Sequence, residues 1–142
     1  MDWRLENHSK KEAWLGEIDY AKYLFTDIYA NKEAITEMVD ISNSLGKQEQ
    51  YVITVIVNGR EVFDKENFLF KYYKNIDVKN CYFVSSSVLK VKTINSICAH
   101  RNINLKDVVL VDDKHETLES ATQNGIAAIH PSVLLKCKQK DL

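Results

Sequence analysis

From Tyr51 onward, short β-branched and aromatic runs alternate with stretches of ten or more residues that carry helical patterning, and this alternation restricts the fold more than any other feature. The first run, Tyr51-Val52-Ile53-Thr54-Val55-Ile56-Val57, lacks the in-out polarity of a half-exposed strand and suits one covered on both faces. Asn58-Gly59 interrupts it. A helix is predicted from about Glu61 to Tyr73, a strand over Cys81 to Val84, and a helix from about Leu89 to His100. A strand over Val108 to Val111 follows, then a helix from about Glu116 to Asn124 ended by Gly125, and a last strand over Ile126 to Ile129 closed by Pro131. This order specifies right-handed βαβ crossovers and a mostly parallel α/β sheet in three layers, with helices on both faces.

The N-terminal part reads differently. Trp14, Ile18, Ala21, Phe25 and Ile28 form one stripe at helical spacing, which predicts a helix from Lys10 to Tyr29. A second helix is predicted to start at Asn31 as N-cap, to carry Glu33 in its first turn, to bury Ile35, Met38, Val39 and Leu45, and to end at Gly46. The expected organisation is one domain, with a helical part over 1–46, the βα units over 51–133 and a tail over 134–142.

Composition removes several function classes. Nineteen basic and twenty acidic residues leave a formal charge of −1, which gives no bulk reason to bind nucleic acid or an anionic membrane. No stretch of eighteen apolar residues occurs, so no membrane span is expected. Cys81, Cys98 and Cys137 form neither a CxxC pair nor a ligand spacing with histidine; this fits a reducing compartment, with the cytoplasm the expected location and Cys81 and Cys98 expected in the core. Phe63, Phe68, Phe70, Tyr72 and Tyr73 crowd one predicted helix, where most are expected to be core.

In parallel sheets ligands sit beyond the carboxyl ends of the strands. The residues just after each predicted strand are therefore the places to look: Thr54 to Asn58, Ser85 to Ser87, Asp112-Asp113 and His130. Asp112 and Asp113 stand together at the mouth of a buried strand, where adjacent like charges call for a cation; a hard, oxygen-seeking ion such as Mg²⁺ is the natural partner. The alternative is that Asp113 merely caps the following helix. His115, at a helix start, is expected to face solvent.

The segment from Asp107 to Pro131, with VVLVDD, then LESATQNG, then GIAAIHP, resembles the final, metal-binding motif of the haloacid dehalogenase (HAD)-like phosphohydrolases. Tyr51-Val52-Ile53-Thr54 is similar to that family's second motif, which implies that Thr54, with Val55, binds a substrate phosphate. Lys90, or alternatively Lys92, looks like the family's lysine, which neutralises phosphate and nucleophile. The resemblance covers roughly residues 31 to 133. It implies Mg²⁺ at Asp112 and Asp113 and a small phosphorylated molecule as ligand.

The family's first motif, Asp-x-Asp-Gly-Thr after the central strand, has as its best candidate Asp27 within Tyr23-Leu24-Phe25-Thr26-Asp27-Ile28-Tyr29-Ala30-Asn31. Tyr29 then stands where the family's general acid belongs. The predicted helix from Lys10 to Tyr29 competes for the same residues and makes Asp27 an ordinary surface or capping group. On that reading the sheet lacks its central strand, and neighbouring strands, a homo- or hetero-oligomeric partner, or a longer chain must supply it. Two functions follow. One is a catalytically degenerate or incomplete HAD-like domain that keeps a Mg²⁺ or phosphate site. The other is an active Mg²⁺-dependent phosphatase or nucleotidase. A response-regulator receiver, which also opens on paired acids, leaves too few residues after Asp113.

Overall fold

The computed structural model describes residues 21–27, 39–40, 42–43 and 48–132. These residues contain a five-stranded sheet in which every pairing is parallel. The strands are β1 (Tyr23–Thr26), β2 (Glu49–Val55), β3 (Cys81–Val84), β4 (Val108–Val111) and β5 (Ala127–Ile129), in the order β3-β2-β1-β4-β5. Helix α1 (Gly59–Tyr72) joins β2 to β3, α2 (Lys90–Arg101) joins β3 to β4, and α3 (His115–Gln123) joins β4 to β5.

The predicted helix over Lys10 to Tyr29 is corrected at its C-terminal end, because Tyr23–Thr26 is the central strand; residues 10–20 and 28–29 lie outside the described residues. The physical reason is burial on both faces. Leu24 is 2% and Phe25 0% exposed, and a strand enclosed in this way is apolar at consecutive positions, so its residues also satisfy a helical stripe. The expected gap in the sheet does not exist, since β1 pairs with β2 on one side and β4 on the other. Of the predicted second helix, Val39–Asp40 and Ser42–Asn43 are helical, and the rest lies outside the described residues.

The later elements follow the expected order with small shifts. Strand β2 covers 49–55 rather than 51–57; the Ile56 amide still donates to the Val84 carbonyl at 2.9 Å, whereas Val57 is exposed. Asn58 starts α1 by accepting the Glu61 amide on its side chain at 3.2 Å, which supplies a partner for one of the unbonded first-turn donors. Gly125, at φ +80°, follows α3 in the left-handed conformation that glycine adopts without strain.

The sheet divides the core. Leu69, Tyr73 and Ile76 pack with Val52, so α1 covers one face. Ile94, Ile97 and Cys98 of α2 and Leu118 and Ala121 of α3 join Phe25, Tyr51, Ile53 and Leu110 in a larger cluster. Strand alternation accounts for this split: Val52 and Ile53 are consecutive and face opposite ways. The expectation that the α1 aromatics are mostly core is corrected. Phe63, Phe70 and Tyr72 are exposed and Tyr73 is buried, because the helix meets the sheet only along the row that contains Leu69 and Tyr73. Cys98 is buried as expected, while Cys81 is half-buried. Among the described residues no helix is long and apolar enough to cross a membrane.

Candidate functional site

The strand order reverses direction at β1. From β1 the chain proceeds outward to β2 and β3, then returns across the sheet to β4 and continues to β5. Such a reversal opens a crevice at the carboxyl ends of the two strands that flank it, because their following connections leave toward opposite faces. Those strands are β1 and β4, and the first residues after them are Asp27 and Asp112. The register pairs Thr26 with Val111, so the two carboxylates emerge side by side.

Lys90 joins them. Its Nζ donates to Asp27 Oδ2 at 2.8 Å and to Asp112 Oδ2 at 2.6 Å. Lys90 is 2% exposed and begins α2, where the positive end of the helix dipole disfavours a cation. Burial and dipole both oppose a lysine here, so the two carboxylates are what hold it charged. Burial pulls its pKa down, but the charges and hydrogen bonds of Asp27 and Asp112 outweigh that and keep it above the ordinary lysine value.

Asp112 is fully buried. Its Oδ1 accepts the Lys114 amide at 2.9 Å, a local turn that fixes the carboxylate while Oδ2 faces Lys90. Burial pushes its carboxyl above the usual range, against the pull of Lys90 and the Lys114 amide.

The remaining expected site residues separate. Thr54 lies on the same carboxyl edge as Asp112 and Asp113, on the strand next to β1 and two positions beyond Val52, the register partner of Thr26. It is two strand spacings from β4, roughly 10 Å. Its hydroxyl accepts from Lys65 Nζ of α1 at 2.6 Å, and the same ammonium donates to the Val55 carbonyl at 2.8 Å. Lys65 was not among the expected site residues; its position inside a polar helical stretch gives no local signal. Lys92 is exposed on α2, so Lys90 is the lysine at the centre. Asp113 is exposed beside Asp112. His115 is partly exposed and pairs with Glu119 at 3.1 Å. The serines after β3 form a turn: Ser86 accepts the Val88 amide and Ser87 accepts from Lys114 Nζ at 2.7 Å.

The donor set bears on the expected Mg²⁺. Among the described residues no group of three acidic, histidine or cysteine side chains converges. Mg²⁺ nevertheless often takes only one or two carboxylates and keeps its waters, so Asp27 and Asp112 are the pair whose chemistry suits it. Asp113, exposed and outside the Lys90 cluster, is a less suitable ligand than the resemblance implies.

No model of a known protein family matches this chain, and no solved structure matches it. A 55-residue stretch, 39% of the chain, is 49% identical to part of Metacaspase-2 from Plasmodium falciparum (isolate 3D7). That stretch spans 3% of the length of the Plasmodium protein, so the similarity transfers no activity to this chain.

Proposed function

We propose that this chain is a HAD-like domain of phosphohydrolase ancestry that keeps a phosphate-directed aspartate–lysine–aspartate centre but lacks the proton donor needed for efficient turnover. The observation that carries the reading is the Lys90 ammonium held between Asp27 and Asp112 at 2.8 and 2.6 Å, at the reversal point of a parallel sheet. In this reading Asp27 faces the phosphorus of a small phosphorylated molecule and Lys90 offsets charge on the reacting oxygens. Asp112 orients Lys90. Thr54 and Val55 lie farther along the edge, on the phosphate side. A hydrated Mg²⁺ held by Asp27 and Asp112 would supply further neutralisation of the phosphate.

The proton inventory favours a degenerate site over an efficient enzyme. Attack by the Asp27 carboxylate on phosphorus forms an acyl-phosphate bond and breaks the bond to the leaving oxygen, which departs as an alkoxide. A general acid at that oxygen is worth about 10²- to 10⁴-fold. Two residues beyond Asp27 the chain has Tyr29, not a carboxylic acid. The second reading, an active Mg²⁺-dependent phosphatase or nucleotidase, is favoured by the location of Asp27 on the central strand beside Lys90.

Calorimetric titration of inorganic phosphate in the presence of Mg²⁺, together with turnover of an alkyl phosphate, tests the two. The expected result is phosphate binding by the native chain and alkyl-phosphate turnover no faster than that of Asp27→Asn. Turnover that depends on Asp27 would establish the active alternative. Absence of phosphate binding would remove both.

A further inference from the structure

The donors of the centre are largely committed before a phosphate arrives. The Lys90 ammonium already serves two carboxylates, which take two of its three N–H groups. A phosphate at this edge needs another cation, and the described structure has one directed at the hydroxyl that the phosphate reading requires.

Lys65 reaches up from α1, on the opposite face of the sheet from α2. Its Nζ takes the Thr54 hydroxyl oxygen at 2.6 Å and the Val55 carbonyl at 2.8 Å, the first of these an oxygen closed off from solvent. Two consequences follow from the donor inventory. An ammonium has three N–H groups, and these two bonds use two of them. A hydroxyl that accepts from an ammonium is left to act as a donor through its own O–H, the polarity an oxyanion requires. The half-buried lysine stem lets the ammonium shift by a rotamer change without moving α1.

We propose that Lys65 is the second cation of the phosphate site: it covers the Thr54 hydroxyl and, when an oxyanion arrives, turns its ammonium to the anion and exposes Thr54 as a donor beside it. Phosphate is then gripped between the two faces of the sheet, by Lys90 from α2 and by Lys65 with Thr54 from α1. This inference rests on the phosphate reading and adds to it a cation that meets the anion from the α1 face of the sheet.

The test is isothermal titration of inorganic phosphate into the full chain, its Lys65→Met and Lys65→Arg variants, with thermal midpoints measured on the same samples. Lys65→Met keeps the apolar stem but removes the donor to Thr54 and Val55, so its midpoint should fall modestly while the variant stays folded at the titration temperature. Its phosphate affinity should fall at least tenfold, and Lys65→Arg should restore most of the loss. If the native chain binds phosphate and Lys65→Met binds it equally well, the role of Lys65 is refuted while the phosphate reading stands. If the native chain binds no phosphate, the phosphate reading fails and takes this one with it.

Discussion

Lys90 Nζ and Asp112 Oδ2 lie 2.6 Å apart with both side chains closed off from water, so the pair is embedded in the protein and not laid on its surface. A buried ion pair of this kind contributes little net stability compared with an apolar replacement of both members, yet removal of one member is costly. The asymmetry makes the cluster testable without any knowledge of a ligand.

Lys90→Met should destabilise the fold by about 3–5 kcal/mol, because it leaves Asp27 and Asp112 facing each other without a cation. Addition of Asp112→Asn to that variant should raise stability again, where two independent lesions would add. Urea denaturation of the native chain, the two single variants and the double variant reads this directly. Additive losses would show that the contact is not energetically coupled.

Asp112 and Lys90 also set the pH response. The Asp112 carboxyl is raised above its unfolded value of 3.8, chiefly by burial, so the folded state holds that proton more tightly than the unfolded chain does. Its contribution is most favourable below the unfolded value and declines as pH rises through the folded one. The stability of the native chain relative to Asp112→Asn should therefore be greatest below the unfolded value of 3.8 and decrease as pH rises through the higher folded value. Lys90 is raised as well, so its contribution is complete below the ordinary lysine value of 10.5 and is lost as pH climbs through its higher folded value. Denaturation midpoints across both ranges check the two signs; a relative stability that rises toward neutrality would contradict the first.

Tyr73 offers a third measurement. Its hydroxyl is buried with no hydrogen-bond partner among the described residues, and burial pushes its pKa to about 12, so it stays a neutral phenol at physiological pH. An orphaned polar group of this kind costs about 1–3 kcal/mol. Tyr73→Phe should therefore raise stability by about 1 kcal/mol, read as a higher urea midpoint with an unchanged slope. A loss of stability would show that the hydroxyl is engaged.

How far the sequence revealed these features depends on what each one buries. Strands β2 to β5 were legible because each apolar run is bounded by residues that end strands, and the order β-α-β-α-β-α-β dictates parallel pairing. Strand β1 was not, because Phe25 falls in phase with a helical stripe set by Trp14, Ile18 and Ala21. One signal was present: Leu24-Phe25-Thr26-Asp27 mirrors Val109-Leu110-Val111-Asp112, an apolar run that ends on aspartate. The choice between Lys90 and Lys92 needed the phase of α2, which places one toward the sheet and the other toward water. Lys65 could not be found from local pattern, since only the tertiary packing of α1 on β2 brings it to Thr54.

The central place of β1 also governs when the domain can assemble. Tyr23 pairs with Glu49 on one side but with Val108 on the other, so its second neighbour is made only near the end of the described chain. Contacts so remote in sequence close costly loops before they are rewarded, which slows folding relative to locally connected topologies. Asp27 and Lys90 meet Asp112 only after that last pairing forms. A nascent chain released before Val108 would expose one edge of β1 and carry two of the three charged residues without the third, so assembly of the charged centre reports the docking of β4 on β1.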